Sequence, residues 1–171
     1  MKKALFLFFS ILMVFSSKAQ LKMEHLTTDW PPEYKWQIIK RQNSGSKQSI
    51  TIIPGYQISS NATIIGNIVA YRGMHYASLD SLMVHYKSVL DTGSVLTVIE
   101  RGDKDLNPWI LFKVETPKTD KYPEPESDLY YDVQGEYALF ENYVAIKEPN
   151  LSSDFVKKWS TIFKNSKISK D

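Results

Sequence analysis

Short runs rich in Ile, Val, Thr and aromatic residues, punctuated by turn residues, dominate the chain and predict strands. Residues 36–41 and 49–53 are two such runs, and Asn43-Ser44-Gly45-Ser46 between them is hairpin-turn chemistry. Pro54-Gly55 ends the second run. A third strand is expected over 63–71, where Gly66 marks a bulge or a close approach of another segment. Residues 95–101 and 109–115 predict two more strands around a polar loop, 102–108. Further strands are expected over 128–133, with Leu129, Tyr131 and Val133 on one face, and over 138–147. Gln134-Gly135-Glu136 is a turn between them or a bulge in one long strand. The segment 116–127 carries Pro117, Pro123 and Pro125 and reads as an extended loop.

In two stretches the period changes. Leu79, Leu82, Met83, Tyr86, Val89 and Leu90 recur at helical spacing, with Ser78 as N-cap, Asp80 in the first turn and Gly93 closing the end. Phe155, Val156, Trp159, Ile162 and Phe163 form the stripe of a second helix over 153–165, capped by Ser152. Leu151 and Val156 hold the two positions of a hydrophobic staple. The basic residues from Lys164 to Lys170 read as the favourable cationic end of this helix. Three strands, a helix, about four strands and a helix make one α+β domain. The expected architecture is an α/β/α sandwich, its sheet mainly antiparallel because hairpin connections dominate, with the helices packed on it.

The N-terminus is different in kind. Lys2 and Lys3 precede an apolar run over 4–15, broken only by Ser10, and Ser16-Ser17-Lys18-Ala19 supplies a small-residue exit. This is the pattern of a cleavable secretory signal peptide, with the cut between Ala19 and Gln20. The run is too short for a membrane span, which needs about 20 apolar residues. The expected organisation is therefore a signal peptide over 1–19, an irregular N-terminal arm over 20–33, a single α+β domain over 34–168 and a tail over 169–171. Trp30-Pro31-Pro32 is what makes the arm look irregular.

Export changes the charge. Cleavage removes Lys2, Lys3 and Lys18 but no acid, so the precursor's net charge of +2 becomes −1. A near-neutral chain with interspersed signs offers no electrostatic case for nucleic acid. The absence of cysteine excludes a lipoprotein anchor, disulfides, thiol nucleophiles and cysteine-based zinc sites. The destination expected is secreted or periplasmic, with no transmembrane anchor after cleavage. A domain of about 150 residues can hold together there by its core alone, since it buries roughly 70% of its unfolded surface.

Little in the sequence announces catalysis. His25, His75 and His85 have no metal-ligand spacing, and each reads as a structural histidine; no cofactor is expected. Asp103, Asp105 and Asn107 alternate like the start of a calcium loop. Pro108 stands where the frame needs glycine and no Glu closes it, so an acidic hairpin loop is expected. Glu124, Glu126 and Asp128 cluster in the proline-rich segment, and with Glu141 they are the carboxylates a hydrolase would use. No nucleophile elbow, phosphate loop or dinucleotide fingerprint occurs. Aromatic content is the unusual resource, with four Trp and ten Tyr. Trp30, Trp36 and Tyr130 are the candidate binding patch, with Tyr34 beside the tryptophans. Tyr130 and Tyr131 point to opposite faces of their strand, so one leaves the core unless helices cover both faces. Asp80-Ser81-Leu82 resembles the short acceptor for O-glycosylation found on secreted proteins of one large phylum of Gram-negative bacteria.

The exit Ser-Lys-Ala followed by Gln20 is similar to signal peptides of that same phylum. The body resembles uncharacterised secreted bacterial proteins of the PsbP-like fold, named for an extrinsic subunit of photosystem II. The features that carry the likeness are the early hairpin ending at Ile53-Pro54, the helix from Leu79 to Leu90 and the strand Trp109-Ile110-Leu111-Phe112-Lys113. The strand over 138–147, followed by the helix with Phe155, Trp159 and Phe163, completes it. The resemblance implies a non-enzymatic sandwich that binds a protein partner, often in the cell envelope, and supplies no site residue. The function expected is thus a secreted or periplasmic, non-catalytic binding or adaptor domain acting on a protein or cell-envelope partner. The alternative is an envelope hydrolase.

Overall fold

The structure, a computed structural model, describes residues 23–119 and 123–170. The signal peptide with its Ala19–Gln20 junction lies outside the described residues. Nine strands and two helices follow in the order β1 (Glu24–Thr27), β2 (Gln37–Ser44), β3 (Lys47–Ile53), β4 (Ile64–Arg72), α1 (Leu79–Val89), β5 (Val95–Gly102), β6 (Trp109–Thr116), β7 (Glu126–Gln134), β8 (Ala138–Ile146), α2 (Ser153–Lys164) and β9 (Lys167–Lys170). The architecture is α+β, mainly an antiparallel sheet with two helices.

Seven strands form one sheet in the order β2-β3-β4-β8-β7-β6-β5, antiparallel throughout. It consists of two meanders, β2–β4 and β5–β8, joined where β4 pairs with β8. The chain must therefore cross from the middle of the sheet at β4 to its far edge at β5. It makes that crossing as α1, which packs Leu79, Leu82 and Met83 on Ile110, Phe112, Val114 and Leu139. On the opposite face, α2 lays Trp159 and Phe163 on Leu111, Leu129, Tyr131, Val133 and Val144. Because helices lie on both faces, both members of the Tyr130–Tyr131 pair are packed.

Local chemistry sets the element ends. The Ser78 side chain accepts from Ser81 N, and the Ser81 hydroxyl returns a contact to Ser78 N, a complete capping box. Ser152 accepts from Phe155 N at the start of α2. Gly93 takes a left-handed backbone, φ +92°, in the turn beyond α1 rather than at its last residue, where Leu90 is extended. Gly66 is a close approach and not a bulge. Register runs unbroken through it, and a Cβ there would meet the Trp30 ring at 2.6 Å. The bulges fall instead at Ile38/Lys40 and Val98/Glu100, in the two edge strands, where they discourage pairing with other chains.

Two boundaries differ from expectation. The arm expected to be irregular contains β1, and the basic stretch is only in part a helix end: Lys164 sits in the last turn of α2, as expected, whereas Lys167–Lys170 is β9, which pairs with β1 from Glu24↔Lys170 to Thr27↔Lys167. A strand this short is stable only because its partner, some 140 residues on, returns alongside it. Glu24 fastens the ribbon to the main sheet: its carboxylate accepts from Glu136 N at 3.0 Å and Tyr137 N at 2.8 Å in the β7–β8 turn. That charge is buried, and two amide donors with Lys170 at 3.9 Å satisfy it.

Candidate functional site

The candidate aromatic patch divides. Trp30 and Trp36 meet edge to face at 5.4 Å, and Trp30 meets Trp159 at 5.4 Å and Phe163 at 5.8 Å. Tyr34 lies 4.9 Å from Trp36, and Trp36 Nε1 donates to Pro31 O at 3.0 Å. These rings are half-buried and spend their faces on one another, closing the edge of the α2 core. Tyr130 lies on the other face, stacked on Phe112 at 4.9 Å and beside Tyr143 at 4.8 Å. The structure thus does not bring Trp30 and Trp36 together with Tyr130.

The suspected carboxylates also separate. Glu124 is a surface partner of Lys147, 2.6 Å away. Asp128 is buried in β7, and burial, followed by the nearby Glu126 and Glu141 charges, pushes its carboxyl up to about 8. Glu141 faces a residue that the sequence reading passed over, Asp132, directly across the β7–β8 ladder. Both are buried beneath α1. The Tyr86 hydroxyl, reaching down from α1, lies 2.8 Å from Asp132 Oδ2 and in very short contact with Glu141 Oε2. Tyr71 donates to Glu141 Oε1 at 3.5 Å.

One hydroxyl carries one proton, so it cannot donate to two carboxylates at once. The bridge closes only if one acid is protonated. Burial is the main force raising both acids, and for Asp132 the Glu141 charge adds to it. Glu141 has the better claim to the negative charge, with Tyr86, Tyr71 and the field of Lys47 in its favour. The proton therefore belongs with Asp132, which donates to Tyr86, which donates to Glu141. This is a shared-proton pair in the sense of coupled acids. Asp132 Oδ1 is buried without a hydrogen-bond partner, as fits a neutral carboxyl better than an anion. The alternation Asp128, Tyr130, Asp132, Gln134 was the available signal; it reads as a solvent face only while α1 is left off that side.

Two clefts flank these layers. One, of about 630 Å³, opens at the start of α1 among His75, Tyr76, Asp103, Asn107 and Gln134 and reaches Asp132. The larger, about 960 Å³, lies on the α2 face where that helix leaves β2–β4 uncovered. Its walls are β1 and the β2–β3 hairpin, its floor includes Ile50, Ile68 and Phe140, and Arg41 and Arg72 stand at its rim.

The remaining motifs are committed locally. Arg101 Nε donates to Asp103 Oδ2 at 2.6 Å and Trp109 Nε1 donates to Asp105 Oδ2 at 2.6 Å, so the acidic loop is occupied by its own neighbours. No group of three acids or histidines among the described residues could hold a metal ion. His25 borders the large cleft, His75 the small one, and His85 sits on α1, 5.9 Å from the Tyr76 ring. Ser81, the glycosylation candidate, is half-buried in the α1 capping box. Among the described residues no helix is long and apolar enough to cross a membrane. No protein-family model matches the chain, and neither does any curated protein.

Proposed function

We propose that this chain is an exported, non-catalytic binding domain, acting on a protein or cell-envelope partner from the periplasm or outside the cell. Its helix-covered antiparallel sheet is read as an α/β/α sandwich of PsbP-like architecture, supported by one helix packing on each face. The observation that carries the binding reading is the large cleft. Its 960 Å³ is at the upper end of ligand-site volumes, about 300–1,000 Å³. An apolar floor with Arg41 and Arg72 at the rim, and the one lining carboxylate, Glu24, already held by two amides, has the anatomy of a recognition site. The acid pair argues in the same direction. A phenol oxygen occupies the space between its carboxyls, where glycoside hydrolysis would need the sugar.

The test is site-directed photo-crosslinking in the producing cell, with a photoreactive side chain at Asn43 in the cleft or at Thr161 on α2. Adducts of defined mass from Asn43 and none from Thr161 are expected; equal labelling overturns the cleft as the site. N-terminal sequencing of the released protein should begin at Gln20.

A second reading, an envelope hydrolase, rests on the smaller cleft reaching Asp132. It requires Asp132→Asn and Glu141→Gln each to abolish a hydrolytic activity of the purified protein. Wild-type protein inert toward envelope glycans and peptides removes that reading.

A further inference from the structure

Resting on the binding reading, we infer that the large cleft takes a single-chain amphipathic anion, the carboxylate of a long-chain fatty acid, with its alkyl chain on the sheet and its head between Arg41 and Arg72.

The register of the sheet builds the floor. Arg41 stands opposite Ile50, and Ile50 opposite Ile68. One row further on, Asn43 stands opposite Gln48, Gln48 opposite Ala70 and Ala70 opposite Phe140. Residues opposite one another share a face, and Phe140 identifies that face as the one on which α2 packs. Ile50 and Ile68 are only half-buried there, because α2 leaves β2–β4 uncovered. Beneath these side chains the backbone is already spent, since β3, β4 and β8 are each paired along both edges. Among the described residues, none of the buried side-chain polar atoms left without a partner belongs to this lining. A peptide laid flat on such a floor would find no partner there for its amides, whereas an alkyl chain has none to satisfy. A volume of about 960 Å³ is that of a drug-sized ligand, which suits one chain and not the two of a membrane phospholipid.

Charge places the head group. Arg72 lies two positions beyond Ala70 on the same face of β4, and its Nη2 donates to the neutral Gln48 Oε1 at 3.0 Å. Arg41 is the diagonal neighbour of Gln48 across the β2–β3 pair, a separation of about 7–8 Å that long side chains span. The space above Gln48 is therefore within reach of both guanidiniums. Among the described residues the arginine held in ion pairs is Arg101, so neither charge at the rim is neutralised by an acid of the fold. Glu24 is the acid in the lining, and its carboxylate is already held by two amides and Lys170. His25, in the β1 wall, is already engaged and is asked for nothing. A guanidinium fork matches a carboxylate, and here the carboxylate has to arrive with the ligand.

The experiment titrates the mature protein calorimetrically with decanoate, dodecanoate and tetradecanoate, each below its micelle concentration, and with dodecyltrimethylammonium and monododecyl phosphate. Dodecanoate should bind at least about tenfold more tightly than the cationic amphiphile. Affinity should rise roughly tenfold with each two methylenes added, as burial of the chain requires. The double variant Arg41→Glu, Arg72→Glu should reverse the preference between anionic and cationic amphiphiles; both side chains are exposed, and an unchanged thermal melt checks the fold. Equal binding of both charge types, or indifference to chain length, overturns the inference. So does a phosphate head held about tenfold more tightly than the carboxylate, or binding of an alternating Glu–Val heptapeptide with none of dodecanoate. If Asn43 still crosslinks while no fatty acid binds, the lipid is lost and the binding domain stands.

Discussion

The two faces of the main sheet solve the same burial problem with different chemistry. Under α2 the solution is mainly apolar and uncharged. Trp159 and Phe163 are fully buried, and the rings of Trp30, Tyr34 and Trp36 close over them. Under α1 the apolar contacts of Leu79, Leu82 and Met83 share their layer with Asp128, Asp132 and Glu141 and with the tyrosines that face them. The α2 face is held mainly by volume complementarity, with one buried amide, Asn142, that donates to Thr28 Oγ1 at 2.6 Å. The polar face needs a proton in a particular place, and so its stability answers to the medium. Two helices of similar length thus hold on to one sheet by forces with different sensitivities.

The comparison breaks most visibly at the α2 face. Trp159→Ala should cost about 3–5 kcal/mol in urea unfolding, with no dependence on pH between 5 and 8, because nothing titratable is exposed to the change.

The next largest effect belongs to the polar face and is one of pH. Asp128 titrates near 8 in the folded chain and near 4 in the unfolded one. Between those values the folded state keeps a proton that the unfolded state has lost, so stability falls as pH rises through this window and is greatest at its acidic end. The melting temperature should therefore drop from pH 5 to pH 8, and Asp128→Asn should flatten that slope. A slope of the opposite sign would show that Asp128 is ionised in the fold.

Third, Tyr86→Phe removes the hydroxyl between Asp132 and Glu141 and leaves two buried acids unbridged. A loss of about 1–3 kcal/mol is expected, larger at pH 8 than at pH 5. The double variant Asp132→Asn, Tyr86→Phe should be less than additive, because the two act through one network.

The smallest effects compare the helix starts themselves. Ser78→Ala and Ser152→Ala should each cost about 0.5–2 kcal/mol, measured by chemical denaturation. Ser78 should be the dearer, since its capping box is reciprocal and that of Ser152 is a single bond.

What the sequence disclosed follows the range of the interactions involved. Period, caps and turn residues are local, and the strands of the main sheet and both helices start within a few residues of where Ile38, Ser78, Trp109 and Ser152 announce them. The β1–β9 ribbon was illegible because its four residue pairs join opposite ends of the chain. Trp30-Pro31-Pro32, read as the cause of an irregular arm, is a bend that lets Trp30 settle on Gly66. The acid pair was half-legible. Glu141 stood out as a carboxylate in an apolar run, but its partner is fixed by the β7–β8 register, which no spacing within either strand reveals. The cleft was not legible at all, since it is bounded by what α2 fails to cover.

The ribbon has one more property, which is mechanical. Glu24 and Lys170 are opposite one another at its outer end, with the other pairs ranked behind them. A load entering through the flanking chain would strain one pair at a time, peeling the ribbon open like a zipper instead of shearing all four together. Peeling is the low-force geometry, and it would spend itself in the ribbon before the seven-stranded sheet felt any tension. Pulled through that flanking chain, the molecule would therefore yield first at β1 and β9 and keep its seven-stranded sheet whole.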